Sequence, residues 1–140
     1  MFKKILVGYD GSPYAKKALE YAIDFAMHPG AELTIVTAFK RVPEYLGSPQ
    51  FEELAGGRTS KAGQLAEMAA DQARACGVEN VQVEVLGGNP AECILTAAET
   101  HHCDCIVVGS HGNEGLAGLL LGGVTDRLTH HAKIPLLIVR

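Results

Sequence analysis

The chain has 140 residues, of which 47% are hydrophobic and 20% charged, and its formal net charge is -4. These values are typical of one ordinary globular domain. The net negative charge and the lack of a dense Lys/Arg run argue against binding nucleic acid through a broad basic surface. No apolar run approaches the roughly 20 residues of a membrane span, and the run after Met1 is too short for a secretory signal. We therefore expect a cytoplasmic protein without a membrane anchor.

The first third of the chain predicts a strand, a helix and a second strand. The first strand covers residues 2–9, and Ser12-Pro13 is typical of a helix N-cap followed by the first helical position. Apolar residues then recur at helical spacing over residues 15–26. The second strand is predicted over residues 32–39.

The middle of the chain predicts a long connection and a second helix. Residues 40–57 contain scattered Pro and Gly and are predicted to be irregular. A connection of this length is typical of a lid, a mobile flap or an unrecognised short helix. A helix is then predicted over residues 58–76, with Gly77 ending it.

The last part of the chain continues the alternation of strands and helices. A third strand is predicted over residues 81–86, and Asn89-Pro90 is typical of the start of a third helix. Residues 105–109 form a continuous apolar run, as expected for a strand covered on both faces. A short helix over residues 124–131 and a last strand over residues 135–139 complete the prediction.

This order predicts the fold class. Alternating strands and helices indicate an α/β, doubly wound, parallel sheet with helices on both faces and right-handed crossovers. No repeat, linker or change of composition divides residues 1–140, so we expect a single domain. Ligands of such sheets bind beyond the carboxyl ends of the strands, where the strand order reverses. If the first and fourth strands are neighbours, the loops at residues 10–12 and 109–112 open onto one crevice.

The segment after the fourth strand is rich in glycine. Six of its fifteen residues are glycine: Gly109, Gly112, Gly115, Gly118, Gly122 and Gly123. Glycine lets backbone N–H groups turn toward an anion, and the following helix offers unpaired donors and a positive dipole end. Thr125 adds a hydroxyl in the first turn. The segment predicts a phosphate cradle, with turns and close packing as the alternative. The motifs of a Walker P-loop and of a Gly-x-Gly-x-x-Gly dinucleotide site are absent from the sequence.

The spacing of these glycines resembles a known signature. Gly109-x-x-Gly112, nine residues and then Gly122 is similar to the Gly-2x-Gly-9x-Gly-(Ser/Thr) pattern of ATP-binding universal stress proteins. The opening at residues 5–12 and the closing strand also resemble that family. The resemblance implies a five-stranded sheet in the order 3-2-1-4-5, with ATP between the first and fourth strands. It also implies a homodimer through the last strand, from Pro135 to Val139.

The resemblance further implies the residues of the nucleotide site. Nine positions are carried over: Asp10, Ala38, Val108, Gly109, Gly112, Gly122, Gly123, Val124 and Thr125. His111 is a tenth candidate because of its position inside the loop. Asp10 lies by the adenosine, Ala38 lines the adenine pocket, and residues 108–109 flank the ribose. The phosphates lie against Gly112 and residues 122–125.

Several assignments stay open. Gly123 departs from the family pattern, which has Ser or Thr there, so a hydroxyl contact to phosphate is missing. Asp10 is a ribose acceptor, a ligand of magnesium bound with ATP, or a turn-former, and His111 contacts phosphate or ribose or acts in catalysis. The run at residues 101–105 contains metal-type ligands, but adjacent strand residues point to opposite faces. The four cysteines are expected to be ordinary buried or half-buried thiols.

The resemblance implies a regulatory, stress-response protein in which ATP occupancy alters a homodimer or a partner surface. One alternative is a slow ATPase or phosphotransfer enzyme. The segment offers no evident general base or Lys/Arg clamp, which phosphoryl transfer normally needs. The other alternative is a stress protein that acts through its surface without nucleotide.

Overall fold

The computed structural model describes residues 1–41, 48–112 and 121–140. Strands and helices alternate along these ranges: β1 Lys4–Gly8, α1 Pro13–Phe25, β2 Glu32–Phe39, α2 Ser48–Ala75, β3 Asn80–Gly87, α3 Pro90–Thr100, β4 Cys105–Gly109, α4 Gly123–His131 and β5 Leu136–Val139. None of the helices in these ranges combines the length and the apolar character that a membrane span needs.

The five strands form one parallel sheet in the order β3-β2-β1-β4-β5. The predicted fold class and strand order are therefore confirmed. In the centre of the sheet, Val7 of β1 pairs with Ile35 of β2 on one side and with Val107 of β4 on the other. The chain moves outward from β1 in both directions, so the strand order reverses between β1 and β4.

Each face of the sheet carries its own hydrophobic cluster. Ile5 and Val7 pack on the face covered by α1 and α2, whereas Leu6 packs on the face covered by α3 and α4. All three side chains are fully buried. Successive strand residues point to opposite faces, so a strand with both faces covered needs an unbroken apolar sequence.

The predicted helix starts are confirmed at α1 and α3. The Ser12 hydroxyl accepts a hydrogen bond from the Ala15 amide at 3.2 Å, and Pro13 is the first helical residue. The Asn89 side chain accepts from the Glu92 amide at 3.2 Å in the same way. Each cap satisfies one of the donors that a helix start leaves unpaired.

The predicted start of α2 is wrong. The helix begins at Ser48, so residues 48–57 are helical, while residues 42–47 of the expected connection lie outside the described ranges. A Cβ built at Gly56 or Gly57 meets nothing within 4 Å, so these glycines cost helix propensity, about 1 kcal/mol each, without a clash. The alanine face of the second half of α2 is buried against the core, and extending a packed helix adds one hydrogen bond per residue.

Helix α1 crosses β4 at very short range, and Gly109 makes this crossing possible. A Cβ built at Gly109 would lie 2.6 Å from the Tyr14 Cβ and 2.8 Å from the Tyr14 carbonyl carbon. Neither atom belongs to the flexible end of a side chain. Any larger residue at position 109 must therefore push α1 away from the sheet.

We predict that Gly109→Ala lowers the free energy of unfolding by about 1–3 kcal/mol, the usual cost of overpacking a core. Gly63→Ala is the matched control, because a Cβ at this position in α2 meets nothing within 4 Å. It should raise the free energy of unfolding by about 0.5–1 kcal/mol through helix propensity. Urea denaturation of the two variants and the wild type measures both changes. Equal stability of Gly109→Ala and wild type would contradict the close crossing.

Candidate functional site

The loops after β1 and β4 meet at the carboxyl edge of the sheet. The two strands are hydrogen-bonded neighbours, with Val7 paired to Val107. A Cβ built at Gly112 would lie 2.6 Å from Oδ2 of Asp10, so the two loops are in contact. The expectation that the first and fourth strands are neighbours, with their loops at the same edge of the sheet, is confirmed.

The loop after β1 is held by the side chain of Asp10. Its Oδ1 accepts a hydrogen bond from the Ser12 amide at 2.9 Å, and Gly11 takes φ +78° between them. Such a side-chain turn is typical of Asp followed by Gly. The same carboxylate therefore shapes the turn with Oδ1 and lies against Gly112 with Oδ2.

Helix α4 begins at the crevice without a side-chain cap. Its N-cap is Gly122, and Gly123 is the first helical residue. The Gly122 amide donates to the Ser110 carbonyl at 2.7 Å, which holds the helix start beside the end of β4. The first N–H groups of any α-helix lack partners within the helix, and Gly122 has no side chain to accept from them. These donors and the positive helix end suit an anion.

Thr125 has a structural task that the sequence did not reveal. Its hydroxyl donates to the Gly109 carbonyl at 2.7 Å, and its side chain is buried. This bond ties the first turn of α4 to the last residue of β4. The hydroxyl proton predicted for the phosphate cradle is thus already donated to the backbone of β4.

The described glycines of the segment are needed where other atoms come close to the backbone, and none of them has positive φ. Among the described glycines, positive φ occurs at Gly11, Gly30, Gly77 and Gly88 but not at Gly109, Gly112, Gly122 or Gly123. Packing against Tyr14 explains Gly109, and a Cβ at Gly122 would lie 3.2 Å from the His111 Cα. Only open space surrounds the corresponding position at Gly123. Gly115 and Gly118 lie outside the described residues.

His111 carries an unsatisfied polar atom in this site. Its Nδ1 is buried and has no hydrogen-bond partner in the part of the chain that the structure describes. The ring lies beside that of Tyr14, with centroids 5.4 Å apart and planes inclined by 58°. Buried polar atoms are paired in most proteins, so this orphan calls for an explanation such as an ordered water, an ion or a ligand.

The other implied positions also lie near this edge. Ala38 is half-buried near the end of β2, and Val108 is buried beside Gly109 in β4. Val124 is half-buried in the first turn of α4. The Thr37 hydroxyl donates to the Tyr9 carbonyl at 2.8 Å and joins the carboxyl ends of β1 and β2. All ten candidate residues thus lie at the carboxyl ends of β1, β2 and β4 or at the start of α4.

The electrostatics of the segment come mainly from its backbone. Residues 109–126 contain no Lys or Arg, and their ionisable side chains are His111, Glu114 and Asp126. The next cation along the chain, Arg127, lies 2.7 Å from Glu92 of α3. Within this segment, the groups that could face an anion are therefore backbone amides, the start of α4 and His111.

The cysteines and the run at residues 101–105 form no second site in the described ranges. Cys93, Cys103 and Cys105 are buried free thiols, whereas Cys76 is exposed, in contrast to the expectation for it. Burial raises the pKa of Cys103 and Cys105 to about 11, so both stay protonated at neutral pH. The described residues bring together no group of three His, Cys, Asp or Glu side chains that could hold a metal ion.

The comparisons with known proteins agree with this fold and identify the family. Residues 1–140 match the model of Usp, the universal stress protein family. This chain belongs to the universal stress proteins.

Its relatives span several organisms. The chain is 39% identical to the "Universal stress protein in QAH/OAS sulfhydrylase 3'region" of Thermus aquaticus over 140 residues, which is the full length of both. It is 32% identical to universal stress protein YxiE of Bacillus subtilis, again over all of both chains.

Two solved structures are similar along nearly the whole chain. That of hypothetical protein MJ0577 has a TM-score of 0.89 at 29% identity and covers 99% of this chain and 96% of its own. The structure of a universal stress protein in complex with cAMP has a TM-score of 0.77 at 27% identity. The match covers 99% of this chain and 97% of that protein's chain.

Proposed function

We propose that this protein binds an adenine nucleotide, ATP, in the crevice between the ends of β1 and β4, and acts in regulation through a nucleotide-dependent homodimer. The observation that carries the proposal is the uncapped start of α4, held at the end of β4 beside the unpartnered Nδ1 of His111. The first amide groups of α4 have no side-chain acceptor at the N-cap, and a buried nitrogen without a partner costs free energy. Both groups could be satisfied by an anionic ligand.

The cradle fits the phosphate end of a nucleotide. A Cβ at Gly123 meets nothing within 4 Å, so there is room beside the first amide groups of α4. Helix starts with free amides bind phosphate through their N–H groups and dipole. In this proposal Gly112 and residues 122–125 surround the phosphates. The complex of a similar universal stress protein with cAMP supports an adenine nucleotide as the ligand class.

The adenosine end of the ligand is proposed to lie toward β2. Asp10 accepts from the ribose hydroxyls or helps to hold magnesium that accompanies ATP. Val108 and Gly109 flank the ribose at the end of β4, and Ala38 lines the adenine pocket near the end of β2. The short Ala38 side chain leaves more room for a base than a larger residue would.

Binding without rapid hydrolysis is part of the proposal. Phosphoryl transfer needs fixed positive charge on the transferring group, and residues 109–126 supply no Lys or Arg. Arg127 already pairs with Glu92. We expect ATP turnover by the purified protein to be indistinguishable from buffer, and a clear turnover rate would favour the slow ATPase instead.

We predict that Gly112→Val weakens ATP binding by at least about tenfold, or 1.4 kcal/mol. The new side chain must displace the Asp10 carboxylate, whose Oδ2 lies 2.6 Å from the Cβ position, and it fills the space between the two loops. Calorimetric titration with ATP measures the loss, and Gly63→Ala serves as a control remote from the crevice. Wild-type affinity in Gly112→Val would remove this loop from the site. A wild type that neither releases nucleotide on denaturation nor binds ATP would refute nucleotide binding altogether.

Gly123→Ser tests where the phosphates lie. The added side chain has open space and restores the hydroxyl typical of the family position. A hydrogen bond to a charged group contributes about 1.5–3 kcal/mol, and ordering the serine offsets part of it, so ATP should bind about three- to tenfold more tightly. Adenosine, which lacks phosphate, should gain less. Gly123→Ala is the control, and an equal gain there would assign the effect to backbone stiffness.

The proposed dimer interface is the free edge of β5. The amides of Ile106 and Ser110 donate to the carbonyls of Pro135 and Val139, at 2.9 and 2.7 Å. Successive peptide groups of a strand point to opposite sides, so the N–H groups of Leu136 and Ile138 point away from β4. An exposed strand edge is normally paired or covered, and here a second copy of β5 would pair with it.

We predict that Ile138→Pro converts the homodimer to a monomer while the fold survives. Proline removes a donor from the outer edge only and leaves the ladder to β4 intact. Ile138→Val, which keeps the donor, should remain dimeric. Light scattering at high micromolar concentration measures the mass of each. A monomeric wild type, or a dimeric Ile138→Pro, would contradict pairing through β5.

A further inference from the structure

We infer that residues 48–61, the first half of α2, form a flap that Arg58 fastens to the end of β2, and that opening of this flap sets how fast a ligand enters and leaves the crevice. The ligand in this inference is the adenine nucleotide of the proposed function, on which the control of exchange rests. The flap itself is a property of the fold.

The flap extends beyond the carboxyl edge of the sheet. Helix α2 has 28 residues and is therefore about 42 Å long, whereas β2 and β3 have 8 residues each and span about 26 Å. Leu65 marks the level of the edge, because its Cδ2 would lie 2.9 Å from a Cβ built at Gly11 in the loop after β1. The residues before Leu65 consequently continue past the ends of the strands.

Little burial holds the flap in place. Ala62 is the first buried side chain among those that the structure describes in α2. Before it, the described side chains are exposed, apart from the half-buried Arg58. Gly56 and Gly57 lower the helix propensity further, and a Cβ built at either meets nothing within 4 Å. A segment with so few buried contacts opens locally at a lower free energy than the packed second half of the helix.

Arg58 connects the flap to the chain that follows β2. Its Nη1 donates to the carbonyl of Lys40 at 3.1 Å and to that of Arg41 at 3.3 Å. Hydrogen bonds from a charged donor are stronger than neutral ones. The guanidinium also keeps its charge at any physiological pH. These two hydrogen bonds, called the clasp below, join a weakly packed helix end to the rim of the sheet.

The face of the flap that carries Arg58 borders a cavity. Six residues at helical spacing line a volume of about 510 Å³: Gln50, Glu53, Leu54, Gly57, Arg58 and Lys61. Close packing resists movement, whereas a void leaves a segment room to shift. The clasp therefore carries a large share of what holds this face in position.

The flap runs along the adenosine end of the proposed site. At one end, Leu65 packs against Gly11, the residue after Asp10. At the other end, the clasp lies at residues 40 and 41, just beyond Ala38 of β2. Movement of the flap with the clasp intact is restricted at both ends. Release of the clasp frees the upper end and opens this side of the crevice.

Hydrogen–deuterium exchange of the ligand-free protein tests the flap without any ligand. Arg58→Met keeps the aliphatic stem and removes the donors, so exchange of residues 48–61 should become about three- to tenfold faster, the protection expected from two exposed hydrogen bonds. Exchange of residues 66–75 should stay unchanged. Arg74→Met is the matched control, because its guanidinium pairs with Asp71 of the same helix at 3.4 Å. Gly57→Ala should slow exchange of the flap about fivefold, because alanine favours the helix.

Stopped-flow kinetics with ATP connects the flap to the site. ATP should leave Arg58→Met about three- to tenfold faster than it leaves the wild type, and it should associate faster by a similar factor. The clasp holds the flap both with and without ligand, so the dissociation constant should change by less than about threefold. Arg74→Met should bind and release ATP at the rates of the wild type.

Unchanged exchange of residues 48–61 in Arg58→Met, or an increase spread over the whole chain, would overturn the clasp. Faster exchange of the flap with an unchanged rate of ATP dissociation would overturn its control of the crevice. A large loss of ATP affinity at an unchanged association rate would also overturn it and would assign Arg58 to direct ligand contact. A wild type that does not bind ATP would refute the proposed function and the control of exchange with it, whereas hydrogen exchange would still decide whether Arg58 fastens the flap.

Discussion

Helices α1 and α4 are both anchored at Gly109, the last residue of β4, and the rest of the candidate site depends on this junction. Tyr14 of α1 lies so close to Gly109 that a Cβ built at Gly109 would be 2.6 Å from the Cβ of Tyr14. Thr125 of α4 donates its hydroxyl to the Gly109 carbonyl at 2.7 Å. One residue further, the Ser110 carbonyl accepts from the Gly122 amide. These contacts bring an uncapped helix start to the edge where the strand order reverses.

The glycines after β4 therefore differ in what they do. Some permit close packing, and others leave space at the start of α4. Gly109 is required by packing, because α1 passes directly over it. Gly112 lets the Asp10 carboxylate approach, which closes the loop after β1 against the loop after β4. A Cβ at Gly123 would meet nothing within 4 Å among the residues that the structure describes, so packing there does not require glycine. A glycine-rich segment at such an edge is thus both a structural joint and, in the proposed function, a surface for phosphate.

The segment after β4 offers an anion backbone groups rather than fixed cations. With no Lys or Arg over residues 109–126, an anion there would be held by amide donors, the α4 dipole and His111. Such groups bind phosphate without the concentrated charge that phosphoryl transfer uses. This explains why we propose a binding and regulatory role and do not propose catalysis.

The sequence by itself determined the alternation of strands and helices, the caps at Ser12 and Asn89, and the edge of the sheet where the glycines gather. These features depend on local periodicity and on residues that satisfy helix ends close to them in the chain. Tertiary structure decided the start of α2, because burial of the alanine face in its second half outweighs Gly56 and Gly57, which locally favour a loop. It also decided the commitment of the Thr125 hydroxyl and the orphan state of His111 Nδ1. Both depend on contacts between distant segments, which no local pattern encodes.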